Sequence, residues 1–153
     1  MKKALCILLI LAMLVSLTGC GALYLSALVI MGDDRADKSE IFAFVRENEA
    51  ELLQAIQTRD FSAFENQGFI GTISANDESI EFSCGGVGMG SSTSYVGFYY
   101  TSTDDMTAVW CAPKSADDLV VCGDGYEWKQ PDGDNRYYTE HICGNFYYYE
   151  ASF

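Results

Sequence analysis

Ser79-Ile80-Glu81-Phe82-Ser83-Cys84 alternates apolar and polar residues, the signature of a strand with one dry and one wet face. Ile80, Phe82 and Cys84 share one side, Glu81 and Ser83 the other. The same period of two recurs around it. Phe69 to Ser74 reads as the partner strand, reached through a turn at Ala75-Asn76-Asp77-Glu78. Downstream, Tyr95 to Thr101 is a strand, and Ser102-Thr103-Asp104-Asp105 turns into another at Met106 to Cys111. Ala112 to Asp124 is mostly loop, with a short strand at Leu119-Val120-Val121. Tyr126 to Lys129 pairs across Pro131-Asp132-Gly133-Asp134 with Arg136 to Cys143, and Gly144-Asn145 leads into Phe146 to Ala151. These spacings predict six to seven antiparallel strands in a meander.

Upstream the period changes to that of a helix. Asp37-Lys38-Ser39-Glu40 is a helix start, with Asp37 or Ser39 capping and Glu40 in the first turn. Ile41, Phe44, Val45, Leu52, Ala55 and Ile56 follow at helical spacing, with Arg46, Glu47, Glu51 and Gln54 on the wet side. The spacing predicts one amphipathic helix over residues 39–58. Asp60 to Phe64 adds a single turn whose Phe61 and Phe64 dock on the core. A helix with one apolar stripe must bury it, so the predicted class is α+β, the helix lying on one face of the meander.

Further upstream, Ala4 to Met31 is a run of 28 residues without a charge, preceded by Lys2 and Lys3. A cationic start before an apolar core is the pattern of an export leader. Leu17-Thr18-Gly19-Cys20 resembles a lipobox, the tetrapeptide at which lipoprotein precursors are cut. In that reading Cys20 carries the lipid that holds the protein on the membrane. Lipoproteins usually continue with a polar tether, however, and Gly21 to Met31 stays apolar. The run also exceeds the roughly 20 residues that a transmembrane helix needs, so an uncleaved signal anchor is the alternative. Both give one topology, lysines inside and the rest outside. Residues 1–31 are thus the leader or anchor, 32–38 a polar linker and 39–153 an extracytoplasmic domain.

All 22 Asp and Glu lie beyond Met31 against seven Lys and Arg, so this part carries a net charge of −15. Such a field repels nucleic acid and anionic lipid headgroups, and suits divalent cations or basic peptides. The plainer reading is a solvated acidic surface that keeps the domain soluble.

Four cysteines lie outside the leader: Cys84, Cys111, Cys122 and Cys143. An even number in an exported domain points to two disulfides, of undetermined pairing. Small buried thiols are the alternative. His141 is the only histidine, and no CxxC occurs, which disfavours a zinc or thioredoxin-type site. A nucleophilic pair of His141 with Cys84, Cys111 or Cys143 lacks any sequence signal of proximity. Gly85 to Gly90 has neither the lysine of a P-loop nor the GxGxxG spacing, and reads as a flexible loop or bulged strand. Asp132-Gly133-Asp134-Asn135 fails the EF-hand pattern at Arg136 and reads as a hairpin turn. No metal or cofactor is expected.

Nine of the ten tyrosines fall between Tyr95 and Tyr149. Adjacent tyrosines on a strand point to opposite faces, so each pair puts a ring outward. Tyr99, Tyr138 and Tyr148 are therefore candidates for an aromatic platform beside Trp110 or Trp128, of the kind that stacks on sugars or grips peptides. Ordinary cross-strand packing is the alternative.

Phe64-Glu65-Asn66-Gln67-Gly68-Phe69-Ile70, Tyr95-Val96-Gly97-Phe98-Tyr99-Tyr100 and Arg136-Tyr137-Tyr138-Thr139-Glu140 resemble blocks of small uncharacterised, membrane-tethered proteins from anaerobic Gram-positive bacteria. The resemblance implies a location and a shared fold; no activity travels with it. The expected function is a membrane-anchored, non-catalytic binding domain whose partner is a peptide, a glycan or an envelope protein. An envelope hydrolase and a purely structural or inhibitory protein are the alternatives.

Overall fold

Asp37 begins the first helix as its sequence requires, with extended backbone and a carboxylate accepting the Ser39 N–H at 2.8 Å. The computed structural model describes residues 35–153 apart from Asn66, Gly90 and Ser91. The leader, its lipobox and Cys20 lie outside the described residues, and no described helix is long and apolar enough to cross a membrane.

The predicted helix over 39–58 is two helices, α1 (Lys38–Glu47) and α2 (Glu49–Thr58). Asn48 divides them. Its backbone leaves helical geometry at φ −112°, ψ 15°, and its side-chain amide donates to Phe44 O at 2.8 Å. An asparagine that offers the backbone a local partner competes with the helical ladder and bends it. Helix α2 stops at Arg59, left-handed at φ 56°, where Asp60 N closes on Ala55 O at 3.2 Å. The turn that follows is as predicted: Asp60 Oδ1 takes the Ser62 N–H, Phe64 is buried, and Phe61 sits edge-on to Phe82 at 6.0 Å.

Seven antiparallel strands form one sheet: β1 (Thr72–Ala75), β2 (Ser79–Met89), β3 (Ser92–Thr101), β4 (Val120–Cys122), β5 (Gly125–Lys129), β6 (Arg136–Cys143) and β7 (Phe146–Ser152). Their spatial order, β1-β2-β3-β7-β6-β5-β4, departs from a single meander. Two meanders, β1 to β3 and β4 to β7, join where β3 pairs with β7. The chain leaves β3 at the centre and starts again at the far edge, crossing by residues 102–119. Residues 85–89 of the glycine run belong to β2, which bulges between Ser83 and Gly86 and resumes pairing with β3.

The strand predicted at Met106 to Cys111 is a chain of turns inside that crossing. Asp105 explains it: its carboxylate holds the Thr107 N–H at 2.8 Å and the Thr107 hydroxyl at 2.7 Å, and its carbonyl takes the Ala108 N–H. An Asx turn therefore wins over extension.

Register sorts the side chains into two layers. On the helix side, Ile80, Phe82, Cys84, Val96, Phe98, Phe146 and Tyr148 pack under Ile41, Val45 and Leu52. Phe82 and Phe98, opposite each other in the ladder, stack at 4.5 Å. On the other side, Tyr99, Tyr137, Tyr147, Tyr149 and Ala151 pack under Val109 and Cys111 of the crossing segment. Both faces are covered.

Candidate functional site

The tyrosine face is closed over by the crossing segment. Tyr99 and Tyr137 hydroxyls each lie 2.9 Å from Met106 O, to which they can donate, and Tyr99 lies 3.1 Å from Thr139 Oγ1. Thr139 gives its own proton to Tyr148 O at 2.9 Å, so its oxygen can only accept, and the single Tyr99 proton goes either to it or to Met106 O. Tyr147 donates to Asp104, and Tyr149 donates to Glu81 Oε1 at 2.5 Å. Burial pushes the Tyr99 hydroxyl up to about 12 and raises Tyr137 and Tyr149 as well. Gly97 makes room for this layer, since a Cβ there would meet Phe82 O at 2.4 Å and the Tyr149 ring at 2.8 Å.

The platform expected from Tyr99, Tyr138 and Tyr148 does not form. Tyr99 is 0% exposed on the crossing side, whereas Tyr148 is 1% exposed on the helix side, against Phe42 at 5.8 Å. Tyr138, on the same side as Tyr148, is half-buried. Strand alternation put one of these rings on the crossing side and two on the helix side, and each face then acquired a cover.

Tyr138 belongs instead to a cluster that ties α1 to β6. Lys38 Nζ lies 2.5 Å from Glu140 Oε2 and 5.0 to 5.6 Å from the centroids of Tyr138, Phe42 and Tyr148. Tyr138 donates to the same carboxylate oxygen at 2.5 Å. Burial alone would raise the Glu140 carboxyl, but the hydrogen bonds from Lys38 and Tyr138 outweigh it and hold Glu140 below the usual carboxylate range. The Lys38 ammonium is likewise opposed by burial yet ends raised through Glu140 and Tyr138. The ammonium is boxed by rings and neutralised by an acid of its own chain, an arrangement that fastens a helix to a sheet.

The four cysteines are free thiols in the structure. Cys84 is buried on the helix side and Cys111 on the crossing side, and desolvation pushes both thiols up to about 12. Cys122 and Cys143 are half-buried, on the edge strand β4 and at the end of β6. His141 is exposed, its Nε2 2.7 Å from Gly144 O and its ring edge-on to Tyr147. No contact among the described residues brings it to a thiol. Among the described residues, no three His, Cys, Asp or Glu converge as metal ligands, and residues 132–134 form the exposed β5–β6 turn.

What the fold does present is a smaller aromatic patch. Trp110, 62% exposed, stacks on Phe153 at 5.5 Å and meets Tyr95 edge-on at 5.8 Å. Its indole N–H donates to Glu81 Oε1 at 3.1 Å, the oxygen that also takes the Tyr149 hydroxyl. One acid thus orients the exposed ring and anchors the buried one. Tyr95 also lines a shallow groove of about 340 Å³ floored by Gly85, Gly86 and Gly88. No family model, curated protein or solved structure matches the chain. Any function must therefore be argued from these groups. Trp110 was visible in the sequence as a neighbour of a platform; Phe153 and Glu81 were not, because only the crossing segment brings them to it.

Proposed function

We propose that this chain is a membrane-anchored extracytoplasmic binding domain without catalytic activity, and that Trp110, Phe153 and Tyr95 form its contact surface. The observation that carries the reading is the exposed Trp110 ring, held by Glu81 and stacked on Phe153. A large indole left in water is costly unless something covers it, and a ring fixed by its own N–H is preorganised for stacking. Beside it lies the shallow groove lined by Tyr95, Gly85, Gly86 and Gly88. A sugar ring or an extended peptide of the envelope has the matching shape. The scattered thiols and the isolated His141 give no support to a nucleophilic site. The apolar run at residues 4–31, read as a leader with Cys20 lipidated or as an uncleaved anchor, supports placing the domain on the outer side of the membrane.

The test uses the two tryptophans, Trp110 and Trp128. In a Trp128→Phe background, Trp110 fluorescence is titrated with soluble cell-wall fragments and with envelope peptides. The proposal expects a saturable change with one of them, and loss of that binding, read by calorimetry, in Trp110→Ala with the fold intact by circular dichroism. A flat titration with both would remove the patch as the contact surface.

A further inference from the structure

The sheet has two edges, β1 and β4. Natural sheets blunt an edge with lysine, proline, a bulge or a covering segment, because its outward N–H and C=O groups invite another strand. Strand β4 is short, Val120–Cys122, but it is regular in register with β5 and carries no lysine, proline or bulge. Its Val120 and Val121 are 64% and 73% exposed, the latter more than any other large apolar side chain among the described residues. The β4–β5 hairpin turns through Gly123-Asp124, with Gly123 at φ 61° as a tight turn requires. In such a two-residue turn Cys122 and Gly125 form the hydrogen-bonded pair. Alternation then leaves Val121 as the residue whose N–H and C=O point away from β5.

Charge says what would pair there. Asp117 and Asp118 precede the strand, Asp124 follows it, and all three are exposed. The part of the chain beyond Met31 carries a net charge of −15. A second copy would bring the same acids against these, and an acidic segment would be repelled, whereas a basic one is drawn in. We propose that the β4 edge takes up an extended peptide segment that alternates apolar and basic residues, as an added strand. Main-chain bonds to Val121 set its register; its apolar side chains, all on one face, cover Val121, and the aliphatic stems of its basic residues lie over Val120 on the other. This surface is distinct from the Trp110 patch, and each can fail without the other.

The experiment is fluorescence anisotropy of the full chain in detergent with a labelled heptapeptide of alternating lysine and valine. Binding is expected, weakening with added salt. N-methylation of alternate peptide residues, which removes the N–H groups facing β4, is expected to weaken it about tenfold or more. Val121→Pro, which removes the outward donor and leaves the paired residues on either side, is expected to do the same. Should that variant unfold by circular dichroism, the N-methylated peptide carries the test alone. Absence of binding, equal binding of the N-methylated peptide, or equal binding of a glutamate–valine peptide would overturn the proposal. So would a concentration-dependent dimer lost on Val121→Pro, which would give the edge to a second copy.

Discussion

Replacing Tyr99 with alanine separates a tyrosine that builds the domain from one that meets a ligand. The side chain is 0% exposed, stacks on Tyr147 at 5.5 Å and hydrogen-bonds at Met106 O and Thr139. Truncating a fully buried aromatic removes its transfer energy and leaves a cavity, together about 3–5 kcal/mol. Tyr99→Phe keeps the ring and removes only the hydroxyl, which costs about 1–2 kcal/mol because Met106 O retains Tyr137 as donor. Trp110→Ala, by contrast, deletes a mostly exposed ring whose stacking on Phe153 contributes about 0.5–1.5 kcal/mol. Urea unfolding followed by far-ultraviolet circular dichroism reads all three. With a denaturant slope of about 1.5 kcal/mol/M, the Tyr99→Ala midpoint falls by about 2–3 M, and that of Trp110→Ala by under about 1 M. Equal small losses for Tyr99→Ala and Trp110→Ala would refute the assignment of Tyr99 to the core, and with it the closure of that face by residues 102–119.

Alkylation with mass readout should modify Cys122 and Cys143 in the native protein and spare Cys84 and Cys111, whose buried thiols stay protonated, until the fold is unfolded; early labelling of Cys84 or Cys111 would contradict the two cores. Gly97→Ala forces a Cβ against Phe82 O and the Tyr149 ring, and is expected to cost over about 2 kcal/mol in the same urea assay, far more than an exposed change. The Lys38–Glu140 pair gives a signed pH dependence. Glu140 is depressed in the fold, so its contribution is present above its unfolded value near pKa ~4.3 and is lost as pH falls through the lower folded value. Lys38 is raised, so its contribution is present below about 10.4 and is lost as pH rises through the higher folded value. Lys38 is partly exposed, so the pair is worth about 1 kcal/mol or less at neutral pH, and Glu140→Gln should flatten the acid limb of a stability–pH curve.

The elements whose signal is local were legible in the sequence. Alternation at Ser79 to Cys84 and the Asp37 cap both stand where the pattern put them, and β6 runs from Arg136 to Cys143 as read. What failed turned on polar side chains that capture nearby backbone: Asn48 splits the helix, and Asp105 folds the expected strand at residues 106–111 into turns. Strand order was out of reach for a different reason. The pairing of β3 with β7 joins residues some fifty positions apart, such as Phe98 with Tyr148, and no periodicity reports it. The candidate site suffered most from that. Period two says which tyrosines share a face, but not that α1 covers Tyr148 while the crossing segment covers Tyr99 and pushes Trp110 into water.

Photocrosslinking in the producing cell, with a benzophenone amino acid at position 110 or 99 of the full chain, bears most directly on the proposal of an envelope-facing contact surface at Trp110. Insertion at 110 is predicted to capture a component of the cell envelope, and insertion at 99 to capture nothing outside the chain. Capture of cytosolic molecules at 110, or of no molecule at all, would contradict it.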